Sequence, residues 1–289
     1  MRKAMISSVS NVIASNENTA LFLVDIGVWA FRDVLTKFPQ RAMNVGIFED
    51  GLISVAAGMS LAGITPFVYG ISPFILGRAY EQLKLDFCYQ KVGGNFITTG
   101  AAYDFPKGGY SHYCPEDVEL AKTLPGLEFI APGSPKEFKK LFDQTWSDGR
   151  PTYYRLSDYP NKIELDVEFG KANVINRGGG ATVIAVSTML DAVLDACRNE
   201  DVTILYYTTL EPFDHETLRQ NYSGEKIILC EPHYSGALLR DIDFALKDRP
   251  HTVECFGVPR EIDRSYGTKT NKDQLFGLNA SGLKNLLLK

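Results

Sequence analysis

Between Gly51 and Gly77 the chain carries no charged residue, a run long enough to cross a bilayer. Its punctuation points elsewhere. Pro66 and Pro73 interrupt it, and Gly51, Gly58, Gly63, Gly70 and Gly77 recur through it, dividing the run into short elements. It reads as a helix over about 50–62, a buried strand over about 65–70 and the start of another helix. A segment this apolar must be buried on nearly every side, by its own domain or by a partner. A soluble interface is expected, not a membrane.

The same alternation continues along the chain. Strand-like runs fall at Leu21–Asp25, Pro66–Tyr69, Asn95–Thr99, Leu127–Ala131 and Thr152–Leu156, then at Thr182–Ser187, Thr203–Tyr207 and Lys226–Cys230. Helical patterns lie between them, at Ala79–Tyr89, Pro135–Trp146, Met189–Arg198 and Gly236–Leu246. This order predicts an α/β protein of mainly parallel sheets flanked by helices. A polar, irregular stretch over 160–178 separates two groups of elements, which places one domain at 1–165 and a second at 166–289. Gly178, Gly179 and Gly180 precede a strand instead of joining a strand to a helix, so they read as a flexible turn and not as a phosphate-cradling loop.

Charge narrows the functional classes. The 289 residues carry a net charge of −5, with acidic and basic residues scattered. No basic patch points to nucleic acid or an anionic membrane. The five cysteines, Cys88, Cys114, Cys197, Cys230 and Cys255, are far apart and form no CxxC pair. Reduced thiols and a cytoplasmic location are expected, because the polar N-terminus holds no apolar export segment.

The most informative run is Asn44-Val45-Gly46-Ile47-Phe48-Glu49-Asp50-Gly51-Leu52. Glu49 opens a helix otherwise built from Ala, Gly, Val, Leu and Met. The helix dipole accounts for an acid in the first turn, but not for one embedded in such apolar flanks. A buried carboxylate costs several kcal/mol unless it finds a partner, so Glu49 must be hydrogen-bonded. The run is similar to the Gly-Ile-Ala-Glu-Gln stretch of transketolases. Val55–Gly63 resembles that family's small-residue helix. Pro66–Tyr69 and Ser72–Gln82 continue in register, followed by Ser111-His112, Glu116-Asp117 and Ile130-Ala131-Pro132. Together these cover residues 20–160 well and the remainder more loosely.

The resemblance implies a pyrimidine-binding domain followed by the transketolase C-terminal domain. It implies that Glu49 bonds the N1′ nitrogen of thiamine diphosphate, within an apolar pocket where a proton can be shared. Phe74 and Tyr80 match positions packing around the aminopyrimidine. Asp25 and Ile26 match positions near the cofactor and the subunit interface. His112 aligns with the family's active-site histidine, which bonds substrate hydroxyls and shuttles protons, and Arg78 joins it as a substrate-binding candidate. His233 is read as architectural.

The family's Gly-Asp-Gly metal motif with its downstream Asn is missing from the sequence. By analogy with full-length transketolases, a separate N-terminal-section subunit should hold the diphosphate and its Mg2+ or similar divalent ion. No metal ligand is assigned to this chain, and two copies of each subunit should form an α2β2 heterotetramer. Arg155-Leu156-Ser157-Asp158 puts an aspartate where the family has a second arginine. That exchanges attraction for repulsion towards a phosphate, so the sugar substrate should not be a standard pentose phosphate pair. Two alternatives remain open: the β-subunit of a 2-oxo-acid dehydrogenase, and a non-catalytic regulatory subunit retaining the fold.

Overall fold

The computed structural model describes residues 1–287. Twelve strands among them form two sheets. They are β1 (Thr19–Leu23), β2 (Ala42–Asn44), β3 (Thr65–Ile71), β4 (Gly94–Thr99), β5 (Glu128–Ile130) and β6 (Pro151–Arg155), then β7 (Asn173–Asn176), β8 (Ala181–Val186), β9 (Val202–Tyr207), β10 (Thr209–Glu211), β11 (Lys226–Tyr234) and β12 (Thr252–Val258). The first sheet runs β10-β5-β6-β4-β3-β1-β2 and the second β12-β11-β8-β9-β7. Pairing is parallel except at one edge of each sheet, where β10 meets β5 and β7 meets β9 in antiparallel fashion. The fold is α/β, with helices flanking both sheets.

The central strands are apolar because both faces are covered. Every residue of β1 and β4 is buried. The uncharged run resolves into a helix at Glu49–Leu61, strand β3 and a π-helix at Pro73–Arg78. The helix buries Leu52, Ile53, Ala56 and Ala57 against the sheet. Its other face is open: Val55 and Leu61 are exposed, as are Ile47 and Phe48 just before it.

Three local expectations need correction. The N-terminus, read only as polar, forms a helix at Arg2–Ser15 that buries Met5, Val9 and Ile13, four residues apart and therefore on one stripe. The irregular stretch before residue 178 contains β7, whose half-exposed edge position removes the apolar signature of a strand. The glycines at 178–180 form a fastened turn instead of a flexible one. Gly178 donates to Thr203 Oγ1 at 3.1 Å and Gly179 to Asp201 Oδ1 at 3.0 Å. A Cβ on Gly178 would lie 2.4 Å from the Val202 nitrogen, so close backbone approach demands the glycine.

Candidate functional site

Four neighbouring parallel strands deliver the candidate residues to one edge of the first sheet. Asp25 and Ile26 follow β1, Glu49 follows β2, Phe74, Arg78 and Tyr80 follow β3, and His112 follows β4. The order β2-β1-β3-β4 reverses direction between β1 and β3. In open α/β sheets, a crevice forms beyond the carboxyl ends of the strands at such a reversal.

Glu49 begins its helix and is only 2% exposed. Its partner is Arg78, whose Nη1 donates to Oε2 at 2.5 Å. The Arg78 side chain is 44% exposed, so the pair sits at the surface with the carboxylate on the inner side. Among the described residues, Glu49 Oε1 makes no hydrogen bond. The Arg78 guanidinium also lies over the Phe74 ring, 4.4 Å from its centroid. Phe74 meets the His112 ring edge to face, with centroids 5.5 Å apart. Glu49, Arg78, Phe74 and His112 thus form a continuous line.

The π-helical turn helps make that line. Widened turns of this kind occur mostly at functional sites, and here one carries both Phe74 and Arg78. His112 lies in a 3-10 turn at Tyr110–His112. Its Nδ1 is 3.1 Å from Ser111 Oγ, leaving Nε2 without a hydrogen-bond partner among the described residues.

The remaining candidates are placed differently. Asp25 takes a left-handed backbone, φ 59°, and its side chain is exposed. Its amide donates to Asn44 Oδ1 at 2.9 Å, and Asn44 Nδ2 returns a bond to Asp25 Oδ1 at 3.2 Å. Asn44 Oδ1 also receives the Gly46 amide at 3.4 Å. Asn44 therefore ties the end of β1 to the loop leading to Glu49. Sequence reasoning gave it no role, although it opened the run that drew attention. Ile26 is half-buried against the core. The Tyr80 hydroxyl is 2.6 Å from Thr123 Oγ1, so its polar end is engaged away from the Glu49–His112 line.

Arg155 is removed from the surface altogether. It is 2% exposed, and its Nε donates to the fully buried Asp117 at 2.6 Å. Its Nη2 reaches the Pro232 carbonyl at 3.3 Å. His233 is buried beside it, with neither ring nitrogen hydrogen-bonded. Desolvation, then the Arg155 charge, holds its pKa well below the usual histidine value. Among the described residues, no group of three His, Cys, Asp or Glu side chains is placed to hold a metal ion. No described helix is long and apolar enough to cross a membrane.

These features define an α/β protein with an acid, an aromatic ring and a histidine at the strand-order reversal of its first sheet. Residues 3–158 match the family model described as transketolase, pyrimidine binding domain, and the chain belongs to the transketolase family. Among its relatives, the "Uncharacterized 33.6 kDa protein in fasciation locus" of Rhodococcoides fascians is 34% identical over 96% of this chain and 91% of its own length. A subunit of the apulose-4-phosphate transketolase of Actinobacillus succinogenes is 24% identical, covering 88% of this chain and 86% of the relative. A solved structure described as "Split gene transketolase, inactive beta4 tetramer" superposes with a TM-score of 0.85. It is 25% identical and covers 98% of this chain and 95% of that one.

Proposed function

We propose that this chain is the catalytic C-terminal-section subunit of a split, thiamine-diphosphate-dependent transketolase-type enzyme. The reaction is transfer of a two-carbon ketol unit from a ketose donor to an aldehyde acceptor. Residues 1–165 act as the pyrimidine-binding domain and 166–289 as the C-terminal domain. The observation that carries this reading is Glu49: a carboxylate 2% exposed at a helix start, with one oxygen uncommitted, in line with Phe74 and His112.

The residues suit the pyrimidine end of the cofactor. An inward carboxylate with a free Oε1 can accept a hydrogen bond from, or share a proton with, a ring nitrogen. Phe74 offers an aromatic ring to a flat heterocycle. Thiamine diphosphate, when bound, supplies the electron sink for breaking and remaking a carbon–carbon bond. Glu49 holds the proton at the pyrimidine N1′, and Arg78 fixes the other carboxylate oxygen. His112 Nε2 bonds substrate hydroxyls and exchanges protons with them. The diphosphate and its divalent ion are assigned to a separate N-terminal-section subunit, because the metal motif is missing from this sequence. The exposed Ile47, Phe48 and Val55 beside Glu49 suit the subunit face of an α2β2 assembly.

The test is Glu49→Gln in the complex with the partner subunit. Turnover should fall by about two orders of magnitude or more, while a non-catalytic scaffold would be indifferent. Asp158 replaces the second arginine of the family's run, so a substrate pair other than simple pentose phosphates is expected. Full activity with xylulose 5-phosphate and ribose 5-phosphate would overturn that specificity.

A further inference from the structure

The segment after β12 crosses from the second sheet to the loop that carries His112. Tyr266, 72% exposed, lays its ring against Gly109, a buried residue with φ 69°. A Cβ on Gly109 would come within 2.9 Å of Tyr266 Cε1, and one on Gly108 within 2.8 Å of His112 Cγ. The Gly108–Gly109 turn therefore contacts both rings, and no larger residue fits it without displacing one. The same segment is anchored on either side. Arg260 forms a two-pronged pair with Glu119. The buried Lys272 pairs with Asp263 and donates to Ser265 O and Oγ, each at 2.6 Å. The Lys272 ammonium lies 5.5 Å from the Tyr113 ring centroid. At the other end of the loop, the Tyr103 hydroxyl donates to Asp273 Oδ1 at 2.6 Å.

We propose that Tyr266 is a positioning residue: it pins the Gly108–Gly109 turn so that His112 stays against Phe74, and the second domain thereby sets the geometry of the first domain's site. The proposal rests on the reading of His112 as the substrate-facing base. A purely structural role accounts poorly for Tyr266, because a side chain so exposed contributes little burial to the fold. What it covers is one glycine, beside the one histidine of the line. Holding a reacting group in place matters far more for rate than for stability.

Hydrogen exchange of the peptide 104–112 in the full chain tests this without reference to activity. Tyr266→Ala should speed exchange there by about tenfold, as expected when a local closing contact is lost, with Tm and exchange elsewhere unchanged. Tyr266→Phe, which keeps the ring, should match the native chain. In the complex with the partner subunit, Tyr266→Ala should raise KM for the ketose by about tenfold through misplacement of His112. Cofactor affinity should not move. The proposal is overturned by unaltered exchange in 104–112, by failure of the Phe variant to rescue, by a uniform rise in exchange with a lower Tm, or by a loosened loop with unaltered KM. Failure of the functional reading shows separately, as an indifferent Glu49→Gln variant.

Discussion

Two carboxylate–arginine pairs lie in the first domain, and they are almost the same length. Glu49–Arg78 spans 2.5 Å and Asp117–Arg155 spans 2.6 Å. In the first pair the arginine is 44% exposed and one carboxylate oxygen is uncommitted. In the second the side chains are 2% and 0% exposed. There Asp117 Oδ1 takes the Val118 amide at 2.9 Å, and Arg155 also reaches the Pro232 carbonyl. The inner pair spends its polar atoms joining the first domain to the second, whereas the outer pair retains an acceptor for something that is not protein. Ion-pair geometry therefore does not distinguish a site from a strut. The unspent hydrogen-bonding capacity does.

The largest effect should come from the inner pair. Asp117→Ala leaves the Arg155 guanidinium buried without its partner and should destabilise the fold by about 3–5 kcal/mol, read from denaturant unfolding. Glu49→Gln should reverse that pattern, with turnover lost as above and unfolding midpoint close to native. A midpoint that falls as far as in Asp117→Ala would erase the distinction. A smaller effect concerns pH. Burial pushes Glu231, next to the inner pair's Pro232, from 4.5 up to about 8. The folded chain keeps a proton there that the unfolded chain has lost between those values, so stability from this group declines as pH rises through that interval. Glu231→Gln should flatten the pH dependence of unfolding across it. Arg78→Ala should change least. The arginine is at the surface, and its loss opens Glu49 to water, so about 1 kcal/mol or less is expected in thermal unfolding.

What the sequence made legible follows from where each signal resides. The alternation of buried strands and helices is carried by apolar content, so the central strands β1, β3, β4, β8 and β9 could be read directly. Short strands and edge strands such as β2, β7 and β10 have little apolar content to read. Glu49 stood out because a charge among small apolar residues needs a partner. That partner, Arg78, lies 29 residues away, and only the crossing of β1 by the chain between β2 and β3 brings the two together. The helix at Arg2–Ser15 was legible in the spacing of Met5, Val9 and Ile13, but its serines and asparagines masked it. The contact of Tyr266 with Gly109 spans the two domains, and no local pattern encodes it.

Strand β10 has a consequence for how this chain can be divided. Thr209–Glu211 comes from the second half in sequence, yet it completes the first sheet by pairing with Phe129 and Ile130 of β5. A fragment ending at residue 165 would leave β5 as a bare strand edge with unpaired amides and carbonyls, open to pairing with another chain. Expressed alone, the first half should be sticky and prone to self-association. The two halves are sequential in the chain but interlocked at this edge, and they should have been inherited as a unit.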